Sequence, residues 1–301
     1  MISTDFPEDI FLADNTKLSI YKHILDLGSN ICKEKSILFC GICRDVGDVL
    51  ERNILRIHRT GKMFKDYSIY IYENDSSDNT VEILKKYQDD KLKYVSETRE
   101  DKNYRENLDN GVDPWHSQRC NILADCRNNY LSYAQSLSNI DYICVIDLDI
   151  KGGWSYDGIK HGIFTLNNED KAACVSSYGV LTEPTNISTL EEVSTKDYIM
   201  YDSFAFRANG VETLHMLRLP THNRLHFVRG DNPLEVFSNF GGLAIYKLET
   251  LANQKYSSRE WKSGYVDPDH VMLNRSLRNL GYKILLDPSM IVSYSNHRYS
   301  T

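Results

Sequence analysis

The stretch YICVIDLDI, from Tyr142 to Ile150, joins a run of strand-forming apolar residues to two aspartates. The run predicts a buried β-strand, and Asp147 and Asp149 follow at its carboxyl end. Because side chains alternate along an extended chain, both carboxylates should lie on the same side. Neighbouring carboxylates repel each other unless a cation lies between them. The stretch therefore predicts either a divalent-metal site or an acid pair that caps a turn.

Apolar segments alternate with amphipathic segments on both sides of this stretch. SILFCGIC (36–43) and YSIYIY (67–72) predict strands, and each is followed by a segment with helical spacing of apolar residues. A further helix, RCNILADCRNNYLSYAQS (119–136), precedes Tyr142. This alternation predicts βαβ units, and hence an α/β fold with a mostly parallel sheet flanked by helices. The second half of the chain predicts a less regular structure.

The composition excludes several classes of protein. Of 301 residues, 41% are apolar and 26% are charged, with a net charge of −7, which is typical of a globular domain and unfavourable for binding nucleic acid. No apolar run approaches the ~20 residues of a transmembrane helix, and the N-terminus lacks the pattern of a secretory signal. The seven scattered cysteines predict free thiols packed in a core, and a redox or zinc role stays open for the C-x-x-C pair Cys40 and Cys43. We expect a cytoplasmic protein of a microbial cell or of a virus-infected host cell.

A second polar motif, ENDSSDNT (Glu73–Thr80), follows a predicted strand and opens a helix. Ser77 or Asp78 is a suitable N-cap, but capping leaves Glu73 and Asp75 without a role. These two acids lie at the carboxyl end of a strand, as Asp147 does. Ligands of open parallel sheets bind beyond those ends, so we expect both motifs to face one site.

Taken in order and spacing, YENDSSDNT, LADCRNNYL and VIDLDI resemble motifs of nucleotide-sugar-dependent glycosyltransferases with the GT-A fold. The resemblance is to family-two enzymes and to capsule-type mannosyltransferases, and it covers about residues 37–299. It implies an N-terminal extension (1–35) packed on a single GT-A domain (36–301). Within that domain, 36–150 would bind the nucleotide and 151–301 the acceptor. Glu73 and Asn74 stand where the family usually has two aspartates.

The resemblance also implies the roles of individual residues. It assigns the nucleotide and donor sugar to Arg44, Glu73, Asp75, Arg127 and Asp147. It assigns a divalent cation, Mn²⁺ or Mg²⁺, to Asp147, Asp149 and His297. Simpler alternatives stay open, since Arg44 can pair with neighbouring acids on the surface, Arg127 can be a solvated helix residue and His297 can be incidental.

The motif VDPDHV offers candidates for a catalytic base. Pro268 favours the first helical position, which predicts that Asp267 is the N-cap of the following helix. Asp269 is then freer to face the cleft. The resemblance implies a general base at this helix start in inverting enzymes, so we expect Asp269 in that role and His270 as second choice.

The predicted activity is metal-dependent transfer of a hexose-type sugar from a UDP- or GDP-sugar to a glycan or another hydroxyl acceptor. The aromatic stretch DYIMYDSFAFR (197–207) suits sugar rings, although it can equally be a core segment. One alternative is a nucleotidyltransferase acting on sugar phosphates, but CGICRDVGD is a poor phosphate-binding loop. The other is a non-catalytic carbohydrate-binding protein of the same fold. The sequence does not define the sugar, the acceptor, the stereochemistry or the oligomeric state.

Overall fold

The computed structural model describes residues 2–99, 117–182, 198–210, 225–262 and 266–295. The helices of these residues are α1 (Leu18–Glu34), α2 (Leu50–Gly61), α3 (Thr80–Tyr87), α4 (Ser117–Gln135), α5 (Tyr156–Asn168) and α6 (Asp269–Asn279), with a 3₁₀ turn at Leu248–Leu251. The strands are β1 (Ser36–Cys43), β2 (Asp66–Asn74), β3 (Leu92–Glu97), β4 (Tyr142–Ile146), β5 (Gly153–Trp154), β6 (Ala172–Thr182), β7 (Tyr198–Met200), β8 (Leu234–Val236), β9 (Leu243–Lys247), β10 (Arg259–Glu260), β11 (Val266–Asp267) and β12 (Lys283–Ser293).

Ten strands form one sheet in the order β3-β2-β1-β4-β9-β6-β12-β5, with β7 beside β6 and β8 beside β12. The strands β3, β2, β1 and β4 are parallel to one another, as are β6 and β12. Strand β9 runs antiparallel between β4 and β6 and joins the two halves of the sheet. The predicted α/β fold, a mostly parallel sheet flanked by helices, is confirmed.

The central strands are buried because helices cover both faces of the sheet. Along β4, Ile143 and Val145 pack in the core shared with α4 and α6, whereas Cys144 and Ile146 pack in the core shared with α2 and α5. This alternation is the period of an extended strand, and it explains why β4 lacks polar residues until its end.

The cysteines of the C-x-x-C motif belong to different cores. Cys40 lies in the core beneath α4, and Cys43 lies in the core beneath α2. All seven cysteines are buried, and none of them forms a disulfide. Two side chains on opposite faces of one strand cannot bind the same ion, so burial alone accounts for both residues.

The N-terminal segment before α1 is fixed to the rest of the chain by buried aromatic rings and by the Glu8 carboxylate. Phe6 and Phe11 are buried and stack on each other at 5.5 Å. The Glu8 carboxylate accepts a hydrogen bond from Tyr156 N (3.0 Å) at the start of α5 and forms an ion pair with Arg229 (2.6 Å). These contacts bring together residues from the beginning, the middle and the late part of the chain.

Candidate active site

A cleft of about 590 Å³ opens at the carboxyl ends of β1, β2 and β4. Side chains from both halves of the chain line it, and they include three arginines and four aspartates. These charged residues are Arg44, Arg119, Arg127, Asp147, Asp149, Asp202, Asp269 and, beside them, the imidazole of His270. Six of the residues singled out in the sequence therefore meet in one cleft, namely Arg44, Arg127, Asp147, Asp149, Asp269 and His270.

Strand β4 ends at Ile146, so the two aspartates of VIDLDI lie in the turn after the strand. The backbone N–H of Asp147 donates to the carbonyl of Gly242 (2.9 Å). Its carboxylate accepts a short hydrogen bond from the Tyr294 hydroxyl at Oδ2 (2.7 Å), and Arg127 lies 3.5 Å from Oδ1. Burial raises the pKa of Asp147, although Arg127 and Tyr294 both counteract this. Both oxygens of Asp147 thus already have protein partners.

Asp149 differs from Asp147 because its side chain is open to the cleft. Surrounding protein atoms exclude part of the water that would solvate its carboxylate. This desolvation and the negative charge of Asp147 raise the pKa of Asp149 to about 6. The raised pKa means that desolvation and the charge of Asp147 disfavour the ionised form more than the nearby positive charges of Arg127 and Lys151 favour it. A divalent cation would supply further positive charge, and carboxylate oxygens are the ligands that Mg²⁺ and Mn²⁺ accept.

The residues of the acid pair do not by themselves complete a metal site. Within the ranges that the structure describes, no three histidine, cysteine or acidic side chains converge on one point. His297, the third predicted ligand, lies outside the described residues. The chain leading toward it nonetheless runs beside the acid turn, because the carbonyl of Ser293 accepts a hydrogen bond from Gly152 N (2.9 Å).

Arg127 links the two halves of the cleft. Its Nε lies 2.5 Å from Oδ2 of Asp269, and only 7% and 5% of the two side chains are exposed. Burial disfavours the charged form of both groups. For each group, the opposite charge of its partner outweighs this effect of burial. The pKa of Arg127 is therefore raised and that of Asp269 is lowered. This burial excludes the alternative that Arg127 is a solvated helix residue.

The predicted capping role of Asp267 is wrong. Helix α6 begins at Asp269, and Pro268 occupies the N-cap position without a side-chain cap. The fully buried Asp267 carboxylate accepts instead from Arg207 Nη2 (2.9 Å) and Trp261 Nε1 (2.9 Å), with Arg275 Nη2 at 3.3 Å. Charge-assisted bonds to guanidinium groups are stronger than bonds to neutral backbone N–H groups, so the carboxylate turns toward the arginines.

His270 is buried in an aromatic pocket at the cleft wall. Its ring stacks on Phe240 at 3.8 Å and meets Tyr256 edge to face at 5.6 Å. Neither ring nitrogen has a hydrogen-bond partner within the part of the chain that the structure describes. Burial and the charge of Arg127 lower the pKa of His270 to about 3. The imidazole is therefore neutral at pH 7 and offers one donor and one acceptor.

The acids of the ENDSSDNT motif turn away from the cleft. Glu73 is buried and accepts from Ser76 N (2.8 Å) and from the hydroxyl of Ser96. Asp75, at a φ of 55°, accepts from Asn74 Nδ2 (3.1 Å) and from Arg99 N (3.3 Å). Neither acid lines the cleft, whereas Asn74 does. Both carboxylates stabilise the turn that presents Asn74.

Arg44 lies at the carboxyl end of β1 and lines the cleft. Its Nε is 3.8 Å from Asp45 Oδ2, which is an ion-pair distance and too long for a hydrogen bond. Its side chain is 23% exposed. Arg44 therefore both lies near the neighbouring acid Asp45 and lines the cleft, so each of the two alternatives for it describes part of the arrangement.

Two further residues shape the cleft, namely Asp202, which belongs to the aromatic stretch 197–207 noted in the sequence, and Tyr294, which sequence analysis missed. Asp202 accepts from Gly241 N (3.1 Å) and Ala205 N (3.3 Å), and burial and the charge of Asp147 raise its pKa to about 7. Tyr294 holds Asp147 from the end of the last strand. Tyr294 also explains Gly242, at a φ of 92°, because an added Cβ would lie 2.4 Å from the tyrosine hydroxyl. A lone tyrosine at a strand end carries no signal in the sequence.

No protein-family model matches the chain, and no curated protein sequence matches it. Solved structures do match, and a mannosyltransferase is among them. A mannosyltransferase from Pyrobaculum calidifontis, in complex with GDP-Man and Mn²⁺, aligns with 95% of this chain and 68% of its own, at 12% identity and a TM-score of 0.49. A mycobacterial protein aligns with 90% of this chain and 69% of its own, at 12% identity and a TM-score of 0.47.

TarS (1–349) from S. aureus, in complex with UDP-GlcNAc, aligns with 88% of this chain and 60% of its own, at 9% identity and a TM-score of 0.44. At such identities and TM-scores the matches carry no functional argument, which rests on the residues of the cleft. Among the described helices, none has both the length and the apolar character needed to cross a membrane.

Proposed function

We propose that this chain is a metal-dependent glycosyltransferase that moves a hexose-type sugar from a UDP- or GDP-sugar to a glycan or another hydroxyl acceptor. The observation that carries the proposal is the open carboxylate of Asp149 beside Asp147, in a cleft that three arginines also line. This arrangement combines ligands for a hard divalent cation with positive charges for a diphosphate.

In this proposal Asp149 would hold Mn²⁺ or Mg²⁺, with Asp147 and His297 as further protein ligands. Substrate phosphate oxygens would be its other ligands, as is usual for Mg²⁺. A bound cation would neutralise the negative charge of the departing nucleoside diphosphate. Arg127 and Tyr294 would orient Asp147 and favour its ionised form, because each contacts a different carboxylate oxygen.

The nucleotide would lie between the ends of β1 and β2. Arg44 and Asn74 line that part of the cleft, and Glu73 and Asp75 act through the turn that they stabilise. Arg127, placed between Asp147 and Asp269, lies where the nucleotide half meets the acceptor half.

We propose Asp269 as the general base if the reaction inverts the anomeric centre. Its lowered pKa keeps the carboxylate ionised throughout the physiological range, although an acid with a lowered pKa is also a weaker base. The neutral imidazole of His270 forms part of the same wall, where its ring stacks on Phe240. Removing Asp269 should therefore affect turnover more than donor binding.

A thermal-shift experiment with Mn²⁺ tests the proposal. The parent protein and Asp149→Ala are each heated with UDP-, GDP-, CMP- and dTDP-sugars, with and without Mn²⁺. A ligand present at 100 times its dissociation constant stabilises the fold by ~2.7 kcal/mol. We expect metal-dependent stabilisation of the parent by a UDP- or GDP-sugar and none of the variant. Asp170→Ala, a change at an exposed acid outside the cleft, is the matched control.

Two outcomes contradict the proposal. The first is equal metal-dependent stabilisation of Asp149→Ala and the parent, since the central carboxylate would then be dispensable. The second is donor binding without release of nucleoside diphosphate in the presence of a panel of glycan acceptors. That result would favour the non-catalytic carbohydrate-binding alternative.

A further inference from the structure

The turn that carries Asp149 is held from behind by helix α2. The side chain of Asn53 is fully buried, and its Nδ2 donates to the carbonyl oxygens of Leu148 (2.9 Å) and Ile150 (2.8 Å). These two residues flank Asp149 in the chain. A single amide group thus fixes the backbone on both sides of the open carboxylate.

Arg56 determines how the Asn53 amide is oriented. Its Nη1 donates to Asn53 Oδ1 (3.1 Å), and its Nη2 donates to the carbonyl of Gly152 (3.3 Å), three residues after Asp149. If the amide were rotated by half a turn, its oxygen would face two carbonyl oxygens and its nitrogen would face a guanidinium group. The hydrogen-bond network therefore permits only one orientation, with both N–H groups directed at the acid turn.

The other side of the same turn contacts strand β12. Gly152 N donates to the carbonyl of Ser293 (2.9 Å), and an added Cβ on Gly152 would lie 2.3 Å from the carbonyl oxygen of Ser295. The acid turn is thus enclosed between α2 and the end of the last strand. Asn53 does not line the cleft, so it reaches the site only through the turn.

We infer that Asn53, supported by Arg56, is a positioning residue that sets the affinity of the Asp149 carboxylate for a divalent cation. This inference rests on the proposed function. An open carboxylate on a turn has no helix or strand to fix its direction. Cation affinity depends on ligands held in place by a second layer of hydrogen bonds, and losing such a partner typically weakens metal binding by ~10–100-fold.

A second buried polar residue on the same helix provides a comparison. Thr60 accepts from Trp154 Nε1 (3.0 Å) and donates to the carbonyl of Arg56 (2.8 Å). It is as deeply buried as Asn53 but has no hydrogen bond to residues 148–150. Replacing either residue removes buried hydrogen bonds, whereas only replacement of Asn53 frees the turn around Asp149.

The test measures binding of Mn²⁺ in the presence of UDP or GDP, from the electron paramagnetic resonance signal of the free ion. Asn53→Leu keeps a similar volume and removes the donors without adding a charge. We expect its dissociation constant for Mn²⁺ to rise ~10–100-fold and raised Mn²⁺ concentrations to restore activity. Thr60→Val should stay within about twofold of the parent, as expected for a residue outside the metal's hydrogen-bonded surroundings.

A metal-free measurement accompanies it, namely hydrogen exchange of the backbone amides of residues 148–152. We expect faster exchange there in Asn53→Leu than in Thr60→Val. If Asn53→Leu does not fold, Arg56→Lys carries the test, because it keeps the charge but lacks the planar fork that spans Asn53 and Gly152. Mn²⁺ affinity and turn exchange equal to the parent in the folded variant would overturn the inference.

Asp149→Ala distinguishes a failure of the positioning inference from a failure of the proposed function. If it loses Mn²⁺ binding while Asn53→Leu keeps it, the positioning inference fails and the proposed function stands. If Asp149→Ala binds Mn²⁺ as the parent does, the proposed function fails, and the assignment of Asn53 to a cation site fails with it.

Discussion

Replacing Asp267 with alanine should destabilise the fold severely. Asp267 and Arg207 are both fully buried, and their side chains are joined by a 2.9 Å bond. Trp261 and Arg275 also direct polar groups at the same carboxylate. Asp267→Ala would leave a buried guanidinium without its counter-charge, which is far more costly than losing the attraction of a solvated pair.

The expected loss follows from what Arg207 retains. Breaking a buried pair by removing one partner typically costs ~3–5 kcal/mol. The Nη1 of Arg207 keeps its bonds to the carbonyls of Phe204 (2.7 Å) and Phe206 (2.8 Å). Burial already lowers the pKa of Arg207 despite the presence of Asp267, which shows that the site is poorly solvated. We therefore expect a loss of ~3 kcal/mol, near the lower end of that range.

Urea unfolding monitored by tryptophan fluorescence and by circular dichroism measures this loss. The matched control is Glu235→Gln, which breaks the partly exposed pair with Arg278 (3.0 Å). Surface pairs contribute ~0–1 kcal/mol, so the control should unfold close to the parent. A loss below ~1 kcal/mol for Asp267→Ala, or one equal to that of Glu235→Gln, would refute the reasoning about uncompensated burial.

Two further predictions concern the cleft. Asp269→Asn should lower turnover by ~10²–10⁴-fold, measured by steady-state kinetics, because a positioned base is lost. Donor affinity, measured by calorimetry, should stay near that of the parent. Undiminished turnover together with a retained anomeric configuration by NMR would show that Asp269 is not the base. Because the pKa of Asp149 is raised to about 6, this carboxylate gains a proton as the pH falls through that value. Protons then compete with the cation, so Mn²⁺ affinity should level off above pH ~7 and fall ~10-fold per unit well below pH ~6, and a flat profile from pH 5 to 8 would contradict this.

The sequence predicted the elements that depend on local pattern. The apolar run of β4 and the helical spacing of α2 follow from periodicity, and the acid pair at the end of β4 marked the cleft. The strand and helix periods are local, since they act over a few residues. Arg127 and Asp149, to which the resemblance assigned site roles, both line the cleft, and those roles stay predictions.

The remaining features depend on contacts between distant segments. Asp267 is a suitable N-cap by its position before Pro268, but Arg207, sixty residues earlier, binds it instead. Glu73 turns to Ser96 on a neighbouring strand, and Tyr294 reaches Asp147 across half of the chain. No pattern within a short window encodes which distant donor a carboxylate will meet.

The central place of β9 has a consequence for how the protein is made. Residue Ile143 of β4 pairs with Tyr246 of β9, and β9 also pairs with β6. During synthesis, one edge of β4 therefore stays unpaired until about a hundred further residues have been made. Unpaired apolar strand edges favour association with other chains. A nascent or truncated chain that stops before Leu243 would keep β1 to β4 and the acid pair after β4 but lack β9, which joins the two halves of the sheet. Such a fragment should aggregate, and closure of the sheet should come late and slowly, because its pairings are far apart in the chain.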